Sequence, residues 1–408
     1  MSGIENGLRV VIAPDSFKGS LSAPLVAAAI AEGWLSVRGS DRLSLIPQAD
    51  GGEGTLDAIE SAIASTVRHH VGPVTAPGGG KTPGSWLELA PGVAVVELAQ
   101  IAGLPLMTRL DPLRATTVGL GEVILHALTS GISRLVVTLG GSASTDGGAG
   151  ALAALGLRSD GDLRHGGGPL SAITALDLSA LRPAPRDGVL LLTDVHSPLL
   201  GSCGASAVFA PQKGASKSEV AVLESSLTNF ARLLGGDPTL PGTGAAGGAA
   251  YGFSAAWGAQ IEPGADHLAG LTGLARTLAD ADVLITGEGK YDSTSGTGKV
   301  VGRLIGQTGE QSARVTVICG QLELLPRTAN GIPIEAFSLV ELAGSVEAAL
   351  DDPTTWLRAG GAAAAAAENR RQSVFGGPPA EFGGSGIRAP VRDKRVGSYP
   401  TEWASRNA

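Results

Sequence analysis

The sequence predicts an α/β fold with largely parallel sheets, divided into two domains, and three observations carry that prediction. Short runs rich in Val, Ile and Leu alternate with helix-like stretches along most of the chain, the pattern of layered α/β structure. The 408 residues, 43% of them hydrophobic, exceed what one core holds, since single cores stop growing at roughly 250–300 residues. Charged and hydroxylic residues gather in glycine-rich turns directly behind the apolar runs, at the strand ends where open parallel sheets bind ligands.

Strands are expected at Leu8–Ala13, Leu43–Pro47, Ala94–Leu98, Arg134–Leu139, Gly188–Thr193, Asp282–Thr286, Arg314–Cys319 and Ile334–Leu339. Helices are expected at Ala23–Val37, Gly119–Ser130, Gly147–Leu157, Ser216–Leu234 and Asp266–Ala279. Ser20 or Ser22 suits the N-cap of the first helix. The polar, glycine-rich stretches Gly72–Gly84 and Gly235–Gly248 are the natural borders. A chain that leaves its first domain at the former and returns after the latter carries an inserted domain, with the ligand cleft between the two. Residues 1–75 with 265–370 then form one domain and 76–264 the other. An alanine tract spans Gly360–Ala367, and residues 376–408, rich in Gly, Pro, Arg and Ser, are expected to be a disordered tail.

A net charge of −8 argues against nucleic acid or an anionic membrane as the main partner. Cys203 and Cys319 stand far apart without metal spacing, and His69 and His70 are adjacent, so any metal is expected to be oxygen-bound and the compartment reducing and cytosolic. The N-terminus lacks the apolar core of a signal peptide, and no run of about 20 apolar residues is present. Sixty-one glycines without a G-X-Y period exclude collagen; many flank Asp, Ser and Thr, where backbone amides can approach a ligand closely.

Residues 10–24, VVIAPDSFKGSLSAP, form a strand-to-helix junction. Free amides at such a helix start attract an anion, and Lys18 adds a full positive charge. Asp15 needs a metal, a hydroxyl or a proton to act on, so both signs in one turn point to transfer chemistry. Asp50 and Glu53 sit in ADGGEGT behind the second strand; alone they also fit an acidic helix start. GGSASTDGGAG, residues 140–150, matches neither the dinucleotide fingerprint nor the Walker pattern, yet its hydroxyls and glycines suit phosphate or carboxylate. Asp194 follows a hydrophobic strand and alone reads as a turn-former. GEGKYDSTSGTGK, residues 287–299, packs two carboxylates, two lysines and four Ser or Thr hydroxyls into thirteen residues, a composition suited to phosphoryl transfer.

Together, APDSFKGSLSA, ADGGEGT, GGSASTDGGAGALAALG, the segment around TDVHSPL, F-x-PQKGA and GEGKYDSTSGTGK resemble the type I glycerate kinase family, in that family's order, over roughly residues 8 to 350. The stretch GTGAAGGAAYGF, Gly242 to Phe253, is similar to the family's glycine-rich loop. The resemblance implies a flavodoxin-like or Rossmann-like α/β domain built from both chain ends, an inserted α/β domain and a site in the cleft. It also implies ATP and Mg2+ as cofactors and D-glycerate as acceptor, giving ADP and 2-phosphoglycerate in preference to 3-phosphoglycerate, without a covalent intermediate.

By motif match, the resemblance carries Asp15, Ser16, Lys18 and Gly19 over as the opening turn, with Lys18 on the transferred phosphate or the glycerate carboxylate. Ser142, Asp146 and Lys299 fall among the substrate and phosphate groups, Asp194 and Asp292 are the base candidates, and Asp50, Glu53 and Glu288 the magnesium or ribose candidates. The chain departs from the family at Thr145 for Asn, at Thr193, His196 and Ser197 in TDVHSPL, and at Ser293-Thr294-Ser295. Each swap keeps a hydrogen-bonding group. A kinase for another small hydroxy acid, or a non-catalytic nucleotide-binding or hydroxy-acid-binding sensor, are the alternatives. Oligomeric state is not legible.

Overall fold

The computed structural model describes residues 7–295, 300–308 and 313–375. Lys299 and the expected tail at 376–408 lie outside the described residues.

The first sheet has five parallel strands, in the spatial order Glu335–Ser338, Arg314–Cys319, Val283–Thr286, Arg9–Ile12 and Arg42–Leu45. Numbered along the chain from the Arg42–Leu45 edge, the order reads 2-1-3-4-5, the flavodoxin-like doubly wound arrangement, with its switch point between the first and third strands. Some 240 residues separate the second strand from the third. They carry the second sheet, ordered Gln260–Glu262, Val189–Leu192, Arg134–Thr138, Val93–Glu97, Lys81–Ala90 and Val67–Thr75. Its first four strands are parallel and the last two antiparallel. The protein is thus a mixed α/β structure with two largely parallel sheets, each strand of their cores apolar and covered by helices.

Helix Ala23–Val37 lies on the first sheet and buries Val26, Ile30 and Trp34 against Leu357, Ala364 and Ala365 of helix Pro353–Phe375. The alanine tract therefore lies within a packed helix, where small side chains let the two helices approach closely. On the second sheet, helix Thr55–Ala62 and helix Gly264–Leu271 cover one face, with Leu56, Ile59 and Leu268 against Leu87, Val95, Val136 and Leu190. Helices Val118–Thr129, Ala149–Ala154 and Ala249–Trp257 cover the other, around Trp86, Leu120, Leu152 and Phe253.

All eight expected strands form, to within a residue or two at their ends. Gly72–Gly84 differs: it is the heart of the hairpin Val67–Thr75/Lys81–Ala90, in which Pro73 faces Pro83 across the pair. The first arm is a sheet edge, where proline removes no ladder hydrogen bond, so glycine and proline there read as a connection. Gly235–Gly248 stays between elements of the second sheet's half. The single helix expected over Asp266–Ala279 is two, Gly264–Leu271 and Leu274–Ala279, parted at Gly273.

Candidate active site

The carboxyl ends of the two sheets meet. At the switch point of the first sheet, the Asp15 amide donates to the Gly287 carbonyl at 2.8 Å, which joins the turns behind the first and third strands. Gly287 is required there, because a Cβ would fall 1.7 Å from the Ile318 carbonyl oxygen. Gly52 of the ADGGEGT turn touches Gly140 behind strand Arg134–Thr138 of the second sheet, and the Gly140 amide donates to the Gly51 carbonyl at 3.0 Å. A Cβ on Gly140 would sit 2.4 Å from the Gly52 Cα. Gly140→Ala is therefore expected to cost about 2–3 kcal/mol and most of the activity. Thermal unfolding of the variant checks this; an unchanged midpoint would refute the contact.

Asp15, Ser16 and Lys18 occupy the first turn. Asp15 is buried, and its Oδ1 accepts from the Ser16 amide at 2.7 Å. Burial above all, then the Asp50 carboxylate and Glu288, push Asp15 up to about 7 against Lys18 and the Ser16 amide. The Ser16 hydroxyl is buried without a partner. Lys18, half-exposed, reaches Asp50 Oδ2 at 3.3 Å, and Asp50 foremost, with Asp15 and Glu288, holds its ammonium above the ordinary lysine range against burial. Burial pulls Asp50 up, but Lys18 and the Gly52 amide, which donates to Oδ1 at 2.9 Å, leave it below the usual carboxylate range. Glu288, buried, belongs to the same electrostatic group. Glu53 is exposed at the mouth.

The opposite wall is the loop 140–150. Ser142 faces the cleft, and its hydroxyl accepts from Lys213 Nζ at 2.8 Å. Asp146 does not face the cleft. It is wholly buried and accepts from the Thr117 amide at 2.9 Å, the Thr117 hydroxyl at 2.8 Å and the Gly148 amide at 3.2 Å, so it ties helix Val118–Thr129 to the loop; burial raises it above the ordinary range in spite of these donors. Thr145, which stands in place of the family's Asn, is buried with its hydroxyl unpartnered.

Asp194 stands behind strand Val189–Leu192 and accepts from the Gly264 amide at 2.9 Å, at the start of a helix. Burial and the nearby Asp50 raise it, while Gly264, Ala265 and Arg303 oppose. Asp292 lies farther along its own turn, its Oδ1 accepting from the Thr294 amide at 2.8 Å and hydroxyl at 2.7 Å.

Three further groups belong to the site region, and only the first, Lys213, has a local sequence signal. Lys213 is 2% exposed and brings its charge in from the PQKG turn. Glu97, wholly buried, accepts from the Gly54 and Leu56 amides, both at 2.9 Å, and burial pushes it up to about 7 against those amides. Arg303 pairs with Asp266, while its Nε and Nη2 are buried without a partner. A basic or acidic residue that meets its partners across 40 to 70 positions cannot be told from a surface charge in the sequence; only PQKG, as part of a motif, pointed to its lysine.

A cavity of 640 Å³ opens between the walls, bounded by Lys18, Gly140, Ser142, Thr193, Lys213 and the apolar Leu104, Met107, Leu110 and Phe209. A second, of 380 Å³, lies beside it under Ser16, Ser20 and Ser22. Lys18, Gly19, Glu53 and Pro105 border both. Ser22 occupies the N-cap position of helix Ala23–Val37 but its side chain makes no capping bond. A cation at the junction of two cavities, with carboxylates on one wall and glycine amides on the other, is suited to neutralising charge during group transfer. Among the described residues no group of three or more His, Cys, Asp or Glu side chains could hold a metal ion, and no helix is long and apolar enough to cross a membrane.

Comparison with known proteins agrees with this chemistry. The glycerate kinase family profile matches residues 10–368. The chain is 39% identical over 306 residues to the glycerate 2-kinase of Escherichia coli K12, covering 72% of this chain and 80% of that one. It is likewise 39% identical over 363 residues to an uncharacterized protein of Mycobacterium bovis, covering 86% and 89%. The crystal structure of a Salmonella typhimurium LT2 protein assigned as glycerate kinase 2 superposes with a TM-score of 0.73 at 34% identity, covering 90% of this chain and all of that one. The protein is an enzyme, a kinase, and the chain belongs to the glycerate kinase family.

Proposed function

We propose that the protein transfers the γ-phosphoryl group of ATP to a hydroxyl of D-glycerate, giving 2-phosphoglycerate and ADP. The observation that carries the reading is Lys18, set between Asp15 and Asp50 at the switch point and bordering both cavities. The larger cavity, at 640 Å³ with apolar walls, has room for a nucleotide, far more than a seven-heavy-atom acid needs. Lys18 neutralises the phosphoryl oxygens as the bond to the leaving phosphate breaks and the acceptor oxygen bonds to phosphorus. A carboxylate takes the acceptor's proton. Asp194 is favoured over Asp292, because Thr193 and Val195 on either side of it line the cavity whereas Asp292 binds its own turn.

Mg2+ fits the residues present. Asp15 is a buried carboxylate pushed up to about 7 beside Asp50 and Glu288, a crowding that a cation relieves, and magnesium is commonly held by one or two carboxylates plus substrate phosphates. One or two carboxylates of the group Asp15, Asp50 and Glu288, completed by the nucleotide's phosphates, would hold it, with Glu53 at the mouth. Bound there it supplies charge neutralisation on the phosphates.

We set the domain border nearer residue 48 than residue 75, supported by the packing of helix Thr55–Ala62 on the second sheet. Localisation in the cytosol remains part of the proposal.

The test is ADP release with MgATP and D-glycerate, with the product identified by phosphorus and carbon NMR. A 3-phosphoglycerate product would overturn the position of transfer, and ADP release with other hydroxy acids only would overturn the acceptor. Asp194→Asn is expected to lower kcat by about 10²–10⁴, the span of general-base catalysis, with Asp292→Asn far milder; the reverse order in steady-state kinetics would exchange their roles.

A further inference from the structure

Lys213 is a buried ammonium that the turn around it does not explain. It is 2% exposed, and its Nζ donates to the Ser142 hydroxyl at 2.8 Å and to the Ser144 carbonyl. No carboxylate of the described residues pairs with it. Asp146, the one acid that acts on it, has its oxygens taken by Thr117, Gly148 and Gly150. Burying a lysine without a counter-ion is costly, and a purely structural tie between the two loops needs no charge.

The ammonium borders the larger cavity beside Gly140 and Ser142. Because the Ser142 hydroxyl accepts from Lys213, its own proton is left to give to a ligand oxygen. Two cations, Lys18 and Lys213, thus line one cavity whose remaining walls include the apolar Leu104, Met107 and Phe209. That combination matches a molecule with an anionic chain at one end and a flat apolar body at the other.

We infer that Lys213, acting with the Ser142 hydroxyl, is the counter-ion for the phosphate chain of the nucleotide in the 640 Å³ cavity, and so sets nucleotide affinity. The inference rests on the kinase reading above for the identity of the anion. Burial pushes Lys213 down to about 7 against Asp146, so an arriving phosphate restores a proton to it. The other charged groups facing it are Asp146 behind, and Lys18 and Glu53 across the cavity. Lys18 is held above the ordinary lysine range and stays charged through neutral pH.

The experiment is calorimetric titration of ADP into the full chain, as wild type, Lys213→Met and Lys213→Gln, at pH 7 and pH 9 in buffers of differing ionisation enthalpy. The wild type is expected to bind about tenfold or more weakly at pH 9 than at pH 7 and to take up protons on binding. Lys213→Met is expected to lose about 10–100-fold at pH 7, the worth of a charge-assisted contact, and to lose the pH dependence. Lys213→Gln keeps a donor to the Ser144 carbonyl without the charge and should behave like Lys213→Met.

Adenosine binding to the wild type as tightly as ADP, so that the phosphate chain adds nothing, overturns the inference even if neither variant folds. So does a variant with wild-type ADP affinity, or one whose defect is confined to the KM of the acid. Turnover is measured separately on the wild type: ADP binding that depends on Lys213 without glycerate phosphorylation would remove the acceptor assignment and leave this inference standing.

Discussion

Lys18→Met is expected to lower kcat by three orders of magnitude or more while moving thermal stability little. The loss follows from removing the one cation, among the described residues, common to both cavities, where a positive charge set against the developing phosphoryl charge is worth several kcal/mol of barrier. The stability effect is small because the side chain is half-exposed, with its ion pair to Asp50 at 3.3 Å open to solvent. The folded state holds the Lys18 proton more tightly than the unfolded chain, so the stability it contributes is present below about pH 10 and fades above it. With the ammonium gone, Asp15, Asp50 and Glu288 repel one another without relief. Lys18→Met/Asp50→Asn should therefore recover what stability was lost without recovering turnover. Steady-state kinetics with thermal unfolding on the three proteins checks this; retention of kcat in Lys18→Met would remove the lysine from the transfer step.

Much of this site can be read from the sequence because parallel α/β architecture puts chemistry in order. The eight expected strands are apolar runs that periodicity and β-branching reveal, and the turn behind a parallel strand lies at the sheet edge where ligands bind. Asp15, Lys18, Asp50, Ser142 and Asp194 were visible for that reason, and the structure brings Asp15, Lys18, Asp50 and Glu288 into one electrostatic group. Asp146 shows the limit of the argument: it stands in the most glycine-dense of these turns, yet its carboxylate is turned inward onto Thr117, and nothing in the linear pattern says which way a side chain in such a loop points. Glu97 ends a strand as predicted positions do, but its partners, the Gly54 and Leu56 amides, are set by how helix Thr55–Ala62 crosses to the second sheet. That crossing is tertiary, and the hairpin at Val67–Ala90, with two prolines and a bulge between His70 and Gly72, hid where it happens.

Removing a functional charge should also stabilise the fold. Lys213→Met is expected to raise stability by about 2 kcal/mol at pH 7, a few degrees in Tm for a protein of this size, and by nothing at pH 9.5. In the unfolded chain a lysine keeps its proton to about pH 10.5, whereas burial pushes Lys213 down to about 7 in the fold. Between those values the unfolded state binds more protons, so wild-type stability rises with pH across that interval, and the cost of the buried lysine is fully present below pH 7. Methionine has similar length and no charge to bury, so its variant lacks that slope. What it forfeits, at every pH, is the pair of hydrogen bonds to Ser142 and the Ser144 carbonyl, about 1 kcal/mol each, which offsets part of the gain at pH 7 and all of it at pH 9.5. Chemical unfolding of both proteins across this range is the measurement, and parallel curves would mean that Lys213 carries no excess proton affinity change on folding. A buried lysine that weakens the fold at pH 7, while facing the cavity from the opposite wall to Lys18, is accounted for by an anion that binds there.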